Sequence, residues 1–561
     1  MRWLLKPVPD GVEALARQLG MHPLVAHLVS LRGMTDETSA REFLNPRLAS
    51  LGDPFELPEM TPAVQRLLAA VDAKEKVILF GDYDVDGVTS MALLHLTLKA
   101  YGLNSFLFLP HRMEEGYGMS RDGLARCIEE HGKPGLLVAL DCGTTSLGEA
   151  AWLKEQGIDC LIIDHHELAQ AGRPECVALV NPQLGVTYHH LCTVGLVFKV
   201  AHALQKTRRL AGFDLKDFLD LVALGTVADL VPLIGENRSI VRRGLESIAH
   251  TKRPGMQALK SVAGVDGLVQ THHLGYRLGP RLNAAGRLDT ALTSLQLLLT
   301  QDPAEAREYA ELLDLHNRER QNVELRVMTE ALAMVAEMGS LEEVHGIVLG
   351  SRSWHPGVIG IVASRISRQC HRPTILIAID DEGIGKGSGR SIRGLSLVDA
   401  MNECRSLLLK GGGHAMAAGM SIEEGKIDIF RSAFGEVVKR TLDGEARFPV
   451  LEMDAEFSLR DMTSSFLEQY RQLEPFGQRN PEPLFLCRKV SPRLPGRVLK
   501  EKHLRVSLFQ DGISMEAMYF NAPFERLPAP PWDVALRIQR NHFRGNETWQ
   551  ILIEDVRAAQ L

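Results

Sequence analysis

Between residues 70 and 235 the chain alternates short, wholly apolar runs with longer segments of helical character. Val77-Ile78-Leu79-Phe80, Phe106-Leu107-Phe108-Leu109, Leu136-Leu137-Val138-Ala139-Leu140, Leu161-Ile162-Ile163 and Val177-Ala178-Leu179-Val180 contain no polar residue. A strand without polar alternation is one buried on both faces, as in a parallel sheet covered by helices. Residues 88–100, 121–131 and 147–156 supply those helices, each followed by a glycine (Gly102, Gly132, Gly157) that suits a helix end. The pattern predicts an open α/β domain. A second α/β unit is expected from about residue 345. There Gly346-Ile347-Val348-Leu349 and Thr374-Ile375-Leu376-Ile377-Ala378-Ile379 read as strands around a helix over 358–369, and the glycine-rich stretches 383–394 and 411–419 read as loops.

Residues 302–338 carry the clearest single-element signal. Asp302 can cap a helix, Pro303 suits its first position, and neither Gly nor Pro recurs before Gly339. Such a helix spans roughly 50 Å at 1.5 Å per residue. Its middle, His316-Asn317-Arg318-Glu319-Arg320-Gln321-Asn322, is polar on every side, which suits a bridge between domains. Residues 1–55 read as short helices joined by turns, with Thr35 or Asp36 as a cap. After about 450, short alternating stretches predict a small β domain, with a five-stranded OB-like barrel as one candidate. The expected organisation is therefore an N-terminal helical segment (1–55), a catalytic parallel-sheet domain (56–300), a connecting helix (301–340), a smaller α/β domain (341–448) and an OB-like domain (449–561).

A chain of 561 residues exceeds one hydrophobic core, in line with several domains. No apolar stretch is long enough for a membrane span or signal peptide, so a cytoplasmic protein is expected. The eight cysteines never form Cys-x-x-Cys, which argues for buried, reduced thiols over zinc ribbons or redox pairs. The net charge of -7 weighs against a uniformly basic nucleic-acid binder. It does not weigh against one whose acidic residues are concentrated at a cation site.

Three of the parallel strands run into such residues: the first into Gly81-Asp82-Tyr83-Asp84-Val85-Asp86-Gly87, the third into Asp141-Cys142-Gly143, the fourth into Asp164-His165-His166. Strand carboxyl ends form the ligand crevice of open α/β sheets, and Asp229 in Gly225-Thr226-Val227-Ala228-Asp229 is a further candidate. Carboxylates so clustered stay ionised only with cations among them. Oxygen and imidazole donors without thiolate suit two octahedral Mn²⁺ or Mg²⁺ ions. A calcium loop would want Glu at its twelfth position, here Leu93, and a zincin motif would want His at 170, here Gln.

In order and spacing, Gly81 to Gly87, Asp141, Asp164-His165-His166 and Asp229 resemble the four motifs of the DHH phosphoesterases. Gly411-Gly412-Gly413-His414 resembles the motif of the associated DHHA1 domain. Gly279-Pro280-Arg281-Leu282-Asn283-Ala284-Ala285-Gly286-Arg287 and Glu474-Pro475-Phe476-Gly477 resemble the RecJ branch of that family in particular. The resemblance implies metal positions at Asp82, Asp84, Asp86, Asp141, His165 and Asp229, an orienting Asp164, and a His166 facing the scissile phosphate. It also implies substrate contacts from Arg281, Asn283 and Arg287. Glycines 411–413, which let backbone N–H groups approach an anion, would join Ser388, Arg390, Arg393 and His414 in holding phosphate. Basic residues between Arg488 and Arg505, interleaved with Phe485, Phe509 and Phe520, would suit a single-strand track lying apart from the chemistry. The activity implied is a monomeric, 5′ to 3′ single-stranded-DNA exonuclease releasing 5′-mononucleotides in DNA repair and recombination, with single-strand-binding protein and a helicase as partners. The alternatives are a DHH phosphodiesterase acting on short RNA or cyclic dinucleotides, and a non-catalytic DNA-binding factor.

Overall fold

The computed structural model describes residues 2–110, 118–169, 171–288, 291–442, 448–543 and 546–559. The chain divides into two compact units, Leu5–Asp314 with Glu452–Leu561, and Leu315–Leu451 with Met1–Leu4.

The larger unit is built on the expected parallel sheet, in the order Phe106–Phe108, Val77–Gly81, Leu136–Leu140, Asp159–Ile163, Ala178–Val180. Every residue of the two strands Val77–Gly81 and Leu136–Leu140 is buried. Leu79, Val138 and Ile163 pack into a large core with helices Met60–Ala73, Val85–Ala100, Thr193–Thr207 and Leu219–Ala228. Phe80, Leu137 and Ile162 face a smaller core with helices Arg121–His131 and Leu147–Glu155. Covering both faces is what permits uninterrupted apolar strands.

The same unit holds a closed β barrel. Phe485–Leu499, His503–Gln510, Ile513–Tyr519, Asn546–Ala558 and Trp532–Phe543 pair in that order, and Trp532–Phe543 returns to Phe485–Leu499. Residues 1–55 hold the expected short helices, Val12–Leu19, Pro23–Ser30 and Glu37–Leu44, but Arg2–Leu5 is a strand. Beyond a small cluster of Val12, Ala16 and Ala26, these helices bury their apolar faces against the C-terminal region. Leu15, Leu28, Val29 and Phe43 share one core with Phe457, Phe466, Tyr470, Phe485 and Trp532 of the C-terminal region. Three eight-residue helices bury too little apolar surface among themselves to fold alone.

In the smaller unit the sheet runs Lys410–Gly413, Ala417–Glu423, Ile384–Arg390, Thr374–Ile379, Ile347–Ser351. Within the glycine-rich stretches expected as loops, Ile384–Arg390, Lys410–Gly413 and Ala417–Glu423 are strands. Gly385, Gly387 and Gly389 alternate along Ile384–Arg390, and a Cβ on them would lie 2.5 Å from Ile377, 2.6 Å from Met420 and 2.6 Å from Leu397. These glycines permit close side-chain packing and do not serve as turns. The long helix is Pro303–Glu337, and the division between units falls within it. One face of its polar middle is buried while Arg318, Glu319, Gln321 and Asn322 remain exposed: Asn317, Arg320 and Glu324 are buried, with Arg320 donating to Glu324 at 2.6 Å and to Asn317 at 2.9 Å, and Arg365 pairing with Glu324 at 2.6 Å.

Candidate functional site

Asp82, Asp141 and Asp164 are each the first residue past a strand, and each extends the ladder by one rung. Their N–H groups donate to Leu140 (3.1 Å), Ile163 (3.1 Å) and Val180 (3.2 Å). Three carboxylates distant in sequence thus leave one sheet edge together. Asp84 caps helix Val85–Ala100, its Oδ1 accepting from Asp86 N (2.9 Å) and Gly87 N (3.2 Å). Gly87 is required in this loop, because a Cβ there would lie 2.3 Å from the Asp82 carbonyl oxygen.

Asp86 is wholly buried and accepts from Thr193 N (2.7 Å) and Val194 N (2.8 Å), the first N–H groups of helix Thr193–Thr207. Such groups favour an anion. The Thr193 hydroxyl donates to Asp141 Oδ1 at 2.8 Å. Asp229 closes helix Leu219–Ala228, whose Gly225 lets it approach closely: a Cβ would fall 2.4 Å from Thr89 Oγ1 and 2.7 Å from Val194 Cγ1. His165 Nε2 lies 3.5 Å from Asp141 Oδ1 and 3.6 Å from Asp229 Oδ2.

The donor atoms of Asp82, Asp84 and Asp141 lie within 4.8 Å of one another, as do those of Asp86, His165 and Asp229. These two sets share no residue, and a third, Asp141 with His165 and His166, overlaps both. Asp229 Oδ2 is buried without a hydrogen-bond partner among the described residues, which fits a metal ligand. Burial first, and the Asp84 charge next, push Asp86 up to about 7. Burial and the Asp86 charge push Asp229 up to about 9, and the same causes raise Asp141 well above its ordinary value. Carboxylates in this condition take up either protons or cations. Burial holds the nearby Cys142 and Cys192 thiols well above their usual range, so oxygen and imidazole are the donors on offer, and these fit Mn²⁺ or Mg²⁺.

The two histidines differ. Burial, then the neighbouring His166, lowers His165 to about 4, leaving a neutral imidazole. Burial also presses His166 downward, but its Nδ1 bond to Asp164 Oδ1 (2.7 Å) outweighs that and raises it. Asp164, despite burial, stays well below the usual carboxylate range because of His166 and Thr144. Its Oδ1 also accepts from His165 N (2.8 Å) and His166 N (3.2 Å), and its Oδ2 from Thr144 N (3.0 Å). Asn181 donates to Thr144 Oγ1 (3.0 Å) and to the His166 carbonyl (2.9 Å). Thr193, Thr144 and Asn181 were absent from the sequence reading. Only their places beside a helix start or a strand end could have drawn notice.

The other candidates are placed less uniformly. Asn283 Oδ1 accepts from Val85 N (3.1 Å), bracing the Asp84 loop. Arg281 is engaged by Asp314 at 2.9 Å and the Arg277 carbonyl at 2.7 Å. The side chain of Arg287 lies outside the described residues. Gly412, Gly419 and Ser388 stand in one cross-strand row, and a Cβ on Gly412 would meet nothing within 4 Å. Arg390 donates to Ser388 Oγ (3.2 Å), His414 closes the turn by donating to Ala417 O (2.8 Å), and Gly413, His414 and Arg393 are exposed. In the barrel, Phe485 is buried in the core and offers no face to a strand, whereas Phe520 is 52% exposed. Arg493 lies over Phe509 at 5.4 Å, and Arg488 and Arg505 are paired with Glu456 and Glu516.

Three family descriptions match the chain: the DHH family N-terminal domain over residues 76–226, the DHHA1 domain over 343–440 and the RecJ OB domain over 453–555. The single-stranded-DNA-specific exonuclease RecJ of Bacillus subtilis is 36% identical, across 100% of this chain and 71% of its own length. That of Escherichia coli is 35% identical, across 95% of this chain and 96% of its own. The crystal structure of Thermus thermophilus RecJ with Mn²⁺ superposes with a TM-score of 0.85 at 29% identity, covering 100% of this chain and 80% of that one. Its Mg²⁺ complex gives 0.79 at 28% identity, with 100% and 79% coverage.

Proposed function

Because the chain belongs to the RecJ family of DHH phosphoesterases, we propose that it is a metal-dependent exonuclease that removes 5′-mononucleotides from the 5′ end of single-stranded DNA. The observation that carries this reading is the pair of adjoining acidic and imidazole sets at the sheet edge. Asp82, Asp84 and Asp141 hold one ion, Asp86, His165 and Asp229 the other. When bound, the ions supply Lewis-acid polarisation and neutralise the charge of the phosphate and the cluster. The protein's own residues do the rest. Asp164 orients His166 and favours its protonated form, so that the ring can donate to a phosphoryl oxygen, and Thr193 fixes the rotamers of Asp86 and Asp141. Ser388, Arg390, Arg393 and the Gly412–His414 strand end serve as phosphate contacts.

The same reading takes 56–300 as catalytic, 341–448 as substrate-binding and 449–561 as an affinity domain, in a cytoplasmic monomer working with a helicase and single-strand-binding protein. No described helix is long and apolar enough to cross a membrane. The barrel favours a long-strand substrate over short RNA or cyclic dinucleotides, and the complete ligand set favours catalysis over a purely binding role. The test is digestion with Mn²⁺ of single-stranded and duplex DNA, blocked at either end. Mononucleotide release only from single strands with an open 5′ end is expected; release from 3′-open strands instead would overturn the direction.

A further inference from the structure

Asp229 ends its helix, and the chain then crosses open ground. Leu230 is 72% exposed and takes φ +61°, a left-handed conformation that leucine seldom adopts. At Leu233 the chain is gripped. Its N–H donates to the Gln478 carbonyl at 2.9 Å, and its buried side chain lies against Gly477, where a Cβ would fall 2.6 Å from Leu233 Cδ1. Asn237 donates to the Pro232 carbonyl at 3.0 Å. The Arg238 guanidinium, 1% exposed, spreads over the carbonyls of Gln472 (2.8 Å), Leu473 (3.0 Å), Glu474 (2.9 Å) and Phe43 (2.7 Å). Thr271 donates to the Phe476 carbonyl at 2.7 Å.

The gripping segment is itself fixed. Asn480, fully buried, donates to the carbonyls of Leu473 (2.9 Å) and Pro475 (2.7 Å), and Gly477 N donates to its carbonyl at 2.9 Å. The Glu474 carboxylate pairs with Arg540, and Arg238 is held by these carbonyl oxygens and by the Phe43 ring, whose centroid lies 3.9 Å from its Cζ. A buried cation is costly unless such partners surround it, and here they tie three stretches of chain together.

We propose that segment 472–480 is a positioning element of the metal centre, fixing loop 230–233 and through it Asp229. The inference rests on Asp229 being a metal ligand. Leu233 lies only four residues beyond Asp229, a reach of at most about 14 Å even when extended, and Leu230 between them is held at φ +61°, so the grip on Leu233 constrains where Asp229 stands.

The test uses the full chain and three variants. Gly477→Ala drives a methyl into Leu233, the Gly477→Ala/Leu233→Ala double variant removes the opposing atoms, and Asp229→Asn serves as reference. Mn²⁺ binding is followed by the loss of the free-ion electron paramagnetic resonance signal, alongside cleavage of a single-stranded oligonucleotide. Asp229→Asn and Gly477→Ala are each expected to weaken uptake of one of two ions by about tenfold, with KM for the oligonucleotide unchanged, and the double variant to recover. A lower Tm with wild-type Mn²⁺ binding in Gly477→Ala, or a change in KM alone, would overturn the positioning role. Wild-type Mn²⁺ binding by Asp229→Asn would instead overturn the ligand assignment beneath it. If Gly477→Ala does not fold, Thr271→Val carries the same expectation at about threefold, and unchanged Mn²⁺ uptake there counts against the proposal.

Discussion

Replacing Asp164 with Asn isolates what this carboxylate contributes without changing its shape. The amide oxygen can still accept from the N–H groups of His165 and His166, but the amide nitrogen then faces Thr144 N across 3.0 Å, donor against donor. That conflict costs about 1–3 kcal/mol, and the lost charge-assisted bond from His166 roughly another 1.5–3. Together they fall near the 3–5 kcal/mol expected for breaking a buried pair, within a total stability on the order of 5–15, so the variant folds but melts lower. Pairing raises His166 above 6.5, so its stabilisation is complete below that value and fades as the pH rises through the raised one. Pairing lowers Asp164 below 3.8, so the companion contribution is complete above that value and fades on acidification. Wild-type advantage in the metal-free protein is therefore widest between about pH 4 and 6.5. Denaturant titrations across pH, and NMR titration of His166, measure both quantities. The kcat is expected to fall by about 10²–10⁴, and Asp164→Asn/His166→Ala should be no slower than His166→Ala alone. A kcat near wild type, or fully additive losses in the double variant, would refute an Asp164 that acts through His166.

Asp84→Ala or Asp141→Ala should abolish cleavage at saturating Mn²⁺ in a chain that still folds, with the metal-free Tm lowered in Asp84→Ala by the loss of a helix cap that is worth about 0.5–2 kcal/mol; near-normal activity in either variant would count against the two-ion assignment. Mn²⁺ binding near pH 7 should release protons, since Asp86 and Asp229 sit at about 7 and about 9 before the ion arrives; calorimetry in buffers of different ionisation enthalpy reads this directly, and no buffer dependence would contradict it. Deleting residues from 453 onward should yield a chain that is proteolysed over 12–44 and fails to cleave even short oligonucleotides, because the helices there lose their core partners; a well-folded truncation with altered salt dependence alone would show the barrel to be dispensable to the fold.

The sequence exposed the sheet and its acidic strand ends because both are local signals. Leu136–Leu140 is apolar in every position, and Asp82, Asp141 and Asp164 each follow such a run. What it concealed depends on distant neighbours. Thr193 reads as an ordinary helix start until Asp86 and Asp141 are placed beside it. Gly385, Gly387 and Gly389 have the composition of a loop and the spacing of a strand, and the reason for glycine lies in Ile377, Met420 and Leu397. Arg281 resembles a substrate contact, and its pairing with Asp314, 33 residues on, is not visible in its motif. Phe485 resembled a stacking platform, yet the barrel closes around it.

The core shared by the helices at 12–44 and the region around 455–553 also sets an order of events during synthesis. Arg32 and Asn480 are 448 residues apart, so at roughly 5–20 residues per second the early helices wait about 20 to 90 s for their partners to emerge. During that interval Leu28, Val29 and Phe43 lack the C-terminal residues that complete their core, while the parallel-sheet domain between can already collapse. Newly made chains are therefore most prone to aggregate after the catalytic domain has formed and before the barrel is translated, and a chaperone that binds exposed apolar helices would act in that window.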